Sequence, residues 1–252
     1  MSHPLFTYFH SNRNPAERHL VSSTIAAVKQ YPGAHSVSLP TPKPGENTFT
    51  HLAAARTSGR NFASTELSVA DISAILYWSM CESVPHNQTD VTDFVRRPYP
   101  SGGAKFPIEA YVLTDNHNEL GTAGYHYRPD THVLERVVGL SQDQMQVIKK
   151  GYGYQFVSDI PVLFVFSYIR ERNVPKYGYF GEKLALLEAG HIGQNIVMMA
   201  TDCAVQAVPL AGGDYVNLDS LLELDSYNES SFYTIGLGKL PEIAYDNSDV
   251  VK

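Results

Sequence analysis

Two arginines with two hydroxyl residues between them are the first residues whose types and spacing could do chemistry. Arg56 and Arg60 flank Thr57 and Ser58 in the segment ARTSGRNF. A guanidinium group offers several donors in one rigid plane and a hydroxyl adds a short donor, so the group suits an anion or the polar edge of a ring. Taken alone, the motif favours a solvent-exposed basic turn, which is the usual place for arginine.

Glycine pairs mark three further candidate binding segments. Residues 100–103, PSGG, form a turn whose backbone N–H groups could line a ligand, and an ordinary turn before a strand fits them equally well. Residues 209–213 and 236–239 each end a predicted strand, where glycines allow a flat cofactor or a phosphate to approach the backbone. The chain has neither the dinucleotide fingerprint nor the P-loop signature, which disfavours a classical nicotinamide- or triphosphate-binding fold.

An adjacent lysine and tyrosine, Lys176 and Tyr177, stand just before a long apolar segment. Burial can tune either residue type toward an acid or base role, but spacing alone favours a solvent-facing lysine beside a packing tyrosine. In the apolar segment, Glu188, His191 and Asn195 share one helical face, and a buried, hydrogen-bonded Glu–His pair is the favoured interpretation. No metal-ligand spacing such as H-E-x-x-H or C-x-x-C occurs, so no metal is predicted.

Composition narrows the class of protein further. The 252 residues are 43% hydrophobic, enough to bury a full core, and carry a net charge of −7. That charge argues against nucleic acid or an anionic membrane as the main partner. No apolar run approaches the roughly 18 residues of a membrane span, and the N-terminus lacks a signal-peptide core. With only two cysteines, far apart in the chain, we expect free thiols and a cytoplasmic protein.

The patterns along the chain predict an α+β fold with a central sheet flanked by helices. Residues 1–47 are predicted to be a lead-in, with a helix around residues 16–30 and a Pro/Gly-rich extended connection, and residues 48–252 the main domain. Ser68 and Asp71 form a capping-box pattern that opens a helix. The predicted helices cover residues 69–80, 142–150, 182–202 and 218–224, and the predicted strands cover residues 108–114, 124–128, 132–137, 161–169, 205–210 and 232–237.

Taken together, the motifs resemble the FMN-dependent nitroreductase superfamily. The closer resemblance is to its SagB/ThcOx branch, the thiazoline and oxazoline dehydrogenases of ribosomal-peptide biosynthesis. It runs from about residue 52 to residue 240 and rests on the order and spacing of the motifs rather than on any single one. The matching segments are ARTSGRNF, SVADISAILYWS, RPYPSGGAKFPIEAYVL, GYHYRPDTHVLE, KYG, LLEAGHIGQNIVMMATD, PLAGGD and IGLGK.

The resemblance implies a homodimeric, nitroreductase-like sandwich with a mixed or antiparallel central sheet. FMN would lie at the dimer interface, with the long helix at its centre. The arginine motif and Lys239 would hold the phosphate, ribityl chain and pyrimidine edge, residues 100–103 would enter from the other subunit, and residues 209–213 would pass the flavin N5 edge. The implied cofactor-binding residues are Arg56, Thr57, Ser58, Arg60, Pro100, Ser101, Gly102, Gly103, Pro209, Leu210, Ala211, Gly212, Gly213 and Lys239.

The resemblance also makes Lys176 and Tyr177 the catalytic pair, which reverses the interpretation from spacing. An azoline ring would lose its Cα proton to Tyr177 or Lys176 and a hydride to the flavin, and dioxygen would reoxidise the flavin. The substrate would be a peptide or a small molecule. Cyclodehydratase proteins are the implied partners, since we expect no partner-docking domain in this chain.

The chain departs from the branch in three places. Ala55 precedes Arg56 where an arginine is usual, Lys105 and Phe106 replace the usual residues after the Ser-Gly-Gly turn, and Tyr179 replaces an arginine. These changes bear on the identity of the substrate more than on the binding of flavin. The alternative function is an NAD(P)H-dependent nitroreductase or ene-reductase, and the second alternative is a non-catalytic scaffold of a peptide-modification complex.

Overall fold

Seven strands form one antiparallel sheet in the computed structural model, which describes residues 28–41, 48–63, 65–82 and 95–241. Their spatial order is β1-β4-β3-β2-β5-β7-β6, so the apolar strand β5 lies between β2 and β7 as expected for a central strand. The strands are β1 Ser36–Ser38, β2 Ile108–His117, β3 Gly121–Arg128, β4 Val133–Gly139, β5 Val162–Ile169, β6 Val205–Leu210 and β7 Glu229–Lys239.

Helices cover both faces of this sheet. One face carries Val112 and Phe164 in a core shared with α2 and α5, and the other carries Leu113 and Leu163 in a core shared with α3 and α6. Strand residues alternate between the two cores because successive side chains point to opposite faces. The helices are α1 Phe49–Ala55, α2 Val69–Met80, α3 Gln142–Lys150, α4 Val174–Tyr177, α5 Phe180–Asp202 and α6 Tyr215–Leu221. The α+β prediction is confirmed.

Capping residues at the starts of α2 and α6 explain why the predicted bounds of the first helix are confirmed and those of the second are wrong. The capping box of Ser68 and Asp71 is present and α2 covers the predicted residues. The predicted helix over residues 218–224 instead covers Tyr215–Leu221. Its start is set by Asp214, whose carboxylate accepts a hydrogen bond from the Asn217 N–H at 3.2 Å, and N-caps of this kind fix the first turn.

The long helix α5 is only partly covered by the rest of the chain. Ala189, Ile192 and Ile196 are buried against the sheet, whereas Leu186 and Leu187 keep 55% and 53% of their surface exposed. Large apolar side chains clustered in solvent typically mark a surface that another molecule covers. The single chain therefore leaves part of the apolar surface of α5 uncovered.

Part of the lead-in belongs to the sheet. Ser36–Ser38 pairs with β4, and the backbone N–H of Tyr31 donates to the carboxylate of Glu135 at 2.9 Å. Most of the predicted helix over residues 16–30 lies outside the described residues, and the division into residues 1–47 and 48–252 stays a prediction. Within the described ranges, no helix combines the length and apolarity that crossing a membrane requires.

Candidate functional site

The arginine motif lies along the outer edge of strand β6. We call Arg56–Arg60 the arginine loop. Ser58 pairs with Ala207 as an isolated parallel bridge, and the N–H of Gly59 donates to the Ala207 carbonyl at 3.2 Å. A Cβ on Gly59 would lie 1.4 Å from the Gln206 side-chain oxygen, so glycine is what allows this close approach. The edge strand thereby fixes the backbone of a loop whose own side chains are mostly exposed.

The other predicted cofactor segments follow the same strand in order. Lys239 pairs with Val205 at the start of β6, Ser58 lies beside Ala207 in its middle, and residues 209–213 continue past its end. Val205 and Pro209 are separated by about 14 Å, given a rise of about 3.4 Å per strand residue. We call the arginine loop, residues 209–213 and Lys239 the β6-edge group. The group carries cationic and hydroxyl side chains on both sides of β6, with the arginine loop on its free edge and Lys239 on the neighbouring strand β7.

Cationic side chains of the β6-edge group also contact other parts of the chain. The Lys239 Nζ forms an ion pair with Asp71 at 2.9 Å, and the Arg60 guanidinium lies 5.9 Å from the centre of the Phe156 ring. A Cβ on Gly213 would lie 2.8 Å from the Tyr152 ring, whereas one on Gly212 would meet open space. The backbone at Gly212 is therefore open to a ligand.

The remaining predicted residues form a second group around the Ser101-Gly102-Gly103 turn. We call residues 100–103, with Lys176 and Tyr177, the turn group, in which the exposed Pro100 precedes the turn. Gly103 has φ = 64°, and a Cβ there would lie 2.3 Å from the Tyr177 hydroxyl and 2.9 Å from the Lys176 Nζ. The turn therefore presses its backbone directly against the polar ends of the lysine–tyrosine pair.

The lysine–tyrosine pair stands on the one-turn helix α4. Lys176 is exposed and its Nζ lies 5.1 Å from the centre of the half-buried Tyr177 ring. The preceding Asn173 is buried, and its side-chain amide donates to the Gly181 carbonyl at 2.9 Å, which ties α4 to the start of α5. Lys176 is therefore at the surface of the single chain, whereas Tyr177 is half-buried beside the turn.

The interpretation of Glu188 and His191 as a hydrogen-bonded pair is wrong. His191 is exposed, while Glu188 is 2% exposed and both of its carboxylate oxygens lack a hydrogen-bond partner among the described residues. Burial raises the pKa of Glu188 to about 7, and the Ser101 hydroxyl and two nearby guanidinium groups limit that rise. Asn195 donates to the Pro98 carbonyl at 2.9 Å. A carboxylate inside an apolar helix was the sequence signal for this unusual group.

The structure thus assembles the predicted site residues as two groups rather than one. Within the described ranges, no hydrogen bond or ion pair joins the β6-edge group to the turn group. The resemblance assigns the two groups to one site shared between two subunits, with the turn group entering from the partner. The roles of all these residues stay predictions.

Comparisons with known proteins agree on the family. A family model described as "Nitroreductase family" matches residues 53–239. The microcin B17-processing protein McbC of Escherichia coli is 31% identical over 160 residues, which are 62% of this chain and 56% of McbC. The trifolitoxin-processing protein TfxB of Rhizobium leguminosarum bv. trifolii is 27% identical over 66% of this chain and 46% of TfxB. The chain therefore spans about half the length of these two relatives.

A solved structure extends the likeness to three dimensions. The E. coli microcin synthetase McbBCD complex with truncated pro-MccB17 bound contains a chain that matches with a TM-score of 0.66 and 26% sequence identity. The match covers 89% of this chain and 85% of that chain. The seven-stranded antiparallel sheet and its two helical layers are accordingly the nitroreductase-like fold.

Proposed function

Because the chain belongs to the nitroreductase family, we propose that it is an FMN-dependent dehydrogenase that oxidises azoline rings in a ribosomally made peptide to azoles. The observation that carries this proposal is the lysine–tyrosine pair, whose Nζ and hydroxyl converge on Gly103. Removal of the Cα proton from an azoline ring requires a base, and the pair supplies two candidates for it. The similarity to McbC and TfxB, which are named as processing proteins, supports a peptide as the substrate class.

The residues of the β6-edge group fit FMN by the chemistry of their donors. Arg56, Arg60 and Lys239 supply positive charge for a phosphate, and Thr57 and Ser58 supply hydroxyl donors for a polar chain or ring edge. The strand holds their backbone in place, and the open space at Gly212 leaves room for a flat ring. In the proposed enzyme the whole β6-edge group and residues 100–103 bind FMN.

The chain's own contribution to the chemistry is proton removal and positioning. When bound, FMN supplies the two-electron acceptor for the ring, and dioxygen is the proposed terminal oxidant. The deprotonated Tyr177 oxygen, as phenolate, or the neutral Lys176 amine would accept the proton from the ring Cα and become Tyr–OH or Lys–NH3+. A Cβ at position 103 would lie 2.3 Å from the Tyr177 hydroxyl and 2.9 Å from the Lys176 Nζ, so glycine leaves room for both ends beside the turn.

The proposed assembly is a homodimer with α5 at its centre. Support comes from the exposed Leu186 and Leu187 and from the separation of the site residues into two groups. A second copy placed on α5 would cover the leucines and bring a turn group to a β6-edge group. Cyclodehydratase proteins are the proposed further partners, since the matched solved structure is a chain within the McbBCD complex.

The test is a turnover assay on a peptide containing thiazoline or oxazoline rings, with loss of two hydrogens per ring followed by mass spectrometry. The double variant Lys176→Ala/Tyr177→Phe should lower kcat by about 10²–10⁴-fold, the usual contribution of general acid–base catalysis, and keep its flavin. The control Lys150→Ala/Tyr227→Phe removes an exposed lysine and tyrosine elsewhere and should leave kcat unchanged. Full turnover by the first variant would refute the catalytic assignment.

A second candidate is an NAD(P)H-dependent nitroreductase or ene-reductase, which the description of the matching family favours. It predicts rapid bleaching of bound flavin by NADPH and no effect of azoline peptides. A non-catalytic scaffold would be colourless and would stay so with added FMN.

A further inference from the structure

Phe106 follows the Ser-Gly-Gly turn in a backbone conformation that residues other than glycine avoid. Its φ is 46°, in the left-handed region. Its N–H donates to the Ser101 hydroxyl oxygen at 2.9 Å, which closes residues 101–106 into a loop. Its buried ring lies edge-on to that of Tyr99, and the Arg97 guanidinium lies 4.5 Å from the ring centre. A strained residue that its surroundings fix from several sides is typical of a functional site.

The carbonyl group of Phe106 is held by a buried arginine, Arg172. The Nη1 of this arginine donates to the carbonyl oxygen at 2.8 Å and also to the carboxylate of Glu109 on β2. Arg172 is 2% exposed, so both bonds lie away from water, where charge-assisted hydrogen bonds are strong. The Glu109 carboxylate also bonds to the Nε2 of the buried His126 at 2.6 Å. Burial alone would raise the pKa of Glu109, but the charge of Arg172 and the bond to His126 lower it to about 2.

Arg172 directly precedes the residue at which α4 begins. The carbonyl of that residue, Asn173, accepts a hydrogen bond from the Tyr177 N–H at 3.0 Å. The bond from Arg172 to Phe106 therefore joins the loop of residues 101–106 to the segment that carries the lysine–tyrosine pair. The two segments also meet at Gly103, where a Cβ would lie 2.3 Å from the Tyr177 hydroxyl oxygen.

The ion pair between Arg172 and Glu109 supplies geometry more than stability. A buried ion pair is weak evidence for stability, because the cost of removing both charges from water offsets their attraction. Here one nitrogen is fixed between a carboxylate of the sheet and a carbonyl of the loop.

We propose that Arg172 is a positioning residue, which holds the Phe106 end of the loop against the start of α4 and thereby sets the distance between Gly103 and the Tyr177 hydroxyl. For its meaning in catalysis this inference rests on the proposed function. The contact itself is a property of the folded chain and is measured without a substrate.

The test follows the contact between Gly103 and Tyr177 by NMR. In the full-length protein, with protonated glycine and tyrosine in a deuterated background, we expect a nuclear Overhauser effect between the Gly103 α-protons and the Tyr177 ring. The two signals are assigned by their loss in Gly103→Ala and in Tyr177→Phe. In Arg172→Ala the loop loses its bond to the start of α4, so this Overhauser effect should be lost.

A second variant carries the test if Arg172→Ala does not fold. The double variant Arg172→Met/Glu109→Gln removes both charges together, which avoids leaving a carboxylate buried without its cation. The glutamine keeps an acceptor for His126. This variant lacks the donor to the Phe106 carbonyl and should also lose the Overhauser effect.

Lys149→Ala is the matched control. Lys149 is a second buried cation that bonds to one carboxylate, that of Asp115, and to one carbonyl, that of Ser158 at 3.1 Å. Its removal should lower stability and leave the Overhauser effect unchanged. Absence of the effect in the wild type, its persistence in a folded Arg172 variant, or its loss in Lys149→Ala would each overturn the proposal.

A turnover measurement at saturating FMN then connects the position of Tyr177 to catalysis. In the Arg172 variants, kcat on an azoline peptide should fall by up to about 10²-fold, as expected when reacting groups are displaced by about 1 Å, and the KM for the peptide should change less. Lys149→Ala should keep the wild-type kcat. If the Overhauser effects behave as expected but the wild type oxidises no azoline, the positioning stands and the proposed function is wrong. If variants that lose the effect oxidise azoline at the wild-type kcat, the catalytic role of Arg172 is refuted and the reaction stands.

Discussion

The β6-edge group and the turn group are built in opposite ways. The β6-edge group uses backbone pairing: Ser58 and Gly59 are joined to Ala207, and the charged side chains of the loop point out from that frame. The turn group uses side-chain packing, because Gly103 lies beside the ends of Lys176 and Tyr177 while Gly102 lies against Leu184 of α5.

In the proposed enzyme, this difference corresponds to a division between FMN binding and proton transfer. A ligand held by exposed charges tolerates small movements of each side chain, and a sheet edge supplies enough order for that purpose. A proton transfer depends on the position of one or two atoms, and close packing fixes those atoms more tightly. Substitutions in the β6-edge group should therefore change affinity, whereas substitutions in the turn group should change rate.

The largest expected effect is on stability and comes from Glu188→Gln. The pKa of Glu188 rises from 4.5 in the unfolded chain to about 7 in the folded one. Because the pKa is higher in the folded protein, the protonated carboxyl group favours the folded state. This contribution to the free energy of unfolding is fully present below the unfolded-state pKa of 4.5 and is lost as the pH rises through about 7. The shift corresponds to roughly 3 kcal/mol. Urea unfolding at pH 4.5 and pH 8 should show that loss in the wild type and not in the variant.

One outcome of the urea unfolding experiment would contradict this prediction. If wild type and Glu188→Gln change in parallel between the two pH values, Glu188 is not buried in the folded state as described. Glu182→Gln is the control, and its curve should follow that of the wild type.

Gly103→Ala tests whether packing fixes the reactive ends. The new Cβ would overlap the Tyr177 hydroxyl, and the backbone would stay in a conformation with φ = 64° that alanine disfavours. We expect kcat to fall by about 10²-fold with flavin retained, because displacement of reacting groups by about 1 Å has that effect.

Gly121→Ala is the matched control for this change. Gly121 has φ = 70° but open space around its missing Cβ, so it carries the backbone strain without the collision. It should lose about 1 kcal/mol of stability and keep full kcat. Equal losses of kcat in both variants would mean that strain, rather than contact with Tyr177, explains the effect.

Arg56→Ala tests the binding role of the β6-edge group. Loss of one charge-assisted hydrogen bond of about 1.5–3 kcal/mol should weaken FMN binding by about 10- to 100-fold. At saturating FMN, kcat should recover, since the turn group is untouched. Flavin fluorescence titration measures the affinity, and Arg136→Ala, which removes an exposed arginine from β4, should bind FMN like the wild type. Unchanged affinity in Arg56→Ala would remove it from the site.

Leu186→Glu tests whether the two groups meet across a dimer. Burial of one leucine contributes about 1.5–3 kcal/mol, so its replacement by a charged residue should weaken a dimer at least about tenfold. Light scattering after size-exclusion chromatography should show that the variant dissociates into monomers at a higher protein concentration than the wild type does. Val216→Glu changes a residue that is 80% exposed on α6 and should have no effect. A monomeric wild type, or a variant as dimeric as the wild type, would refute an interface at Leu186.

Local patterns predicted most elements of the fold because local interactions set them. The capping box at Ser68 and the apolar run of β5 are examples, and both are confirmed. The order of the strands depends on pairing between distant residues, which periodicity does not encode. The shift of α6 arose because the cap at Asp214 was not recognised.

The candidate site was less predictable from residue types. Spacing alone favoured a solvent-facing Lys176 beside a packing Tyr177, and only the family resemblance gave them a role. Their contact with Gly103 joins residues more than 70 positions apart, so no local pattern could predict it. Glu188 was recognisable as a carboxyl group in an apolar helix, but its lack of a partner is a property of the packed structure.

The most direct test of the central claim is the visible spectrum of the purified, FMN-loaded protein under anaerobic conditions. The account predicts that flavin absorption bands persist with NADPH and bleach when a thiazoline- or oxazoline-containing peptide is added, with the azole formed in equal amount. Rapid bleaching by NADPH, with no change on adding the peptide, would contradict the account and assign the chain to the nitroreductase or ene-reductase function.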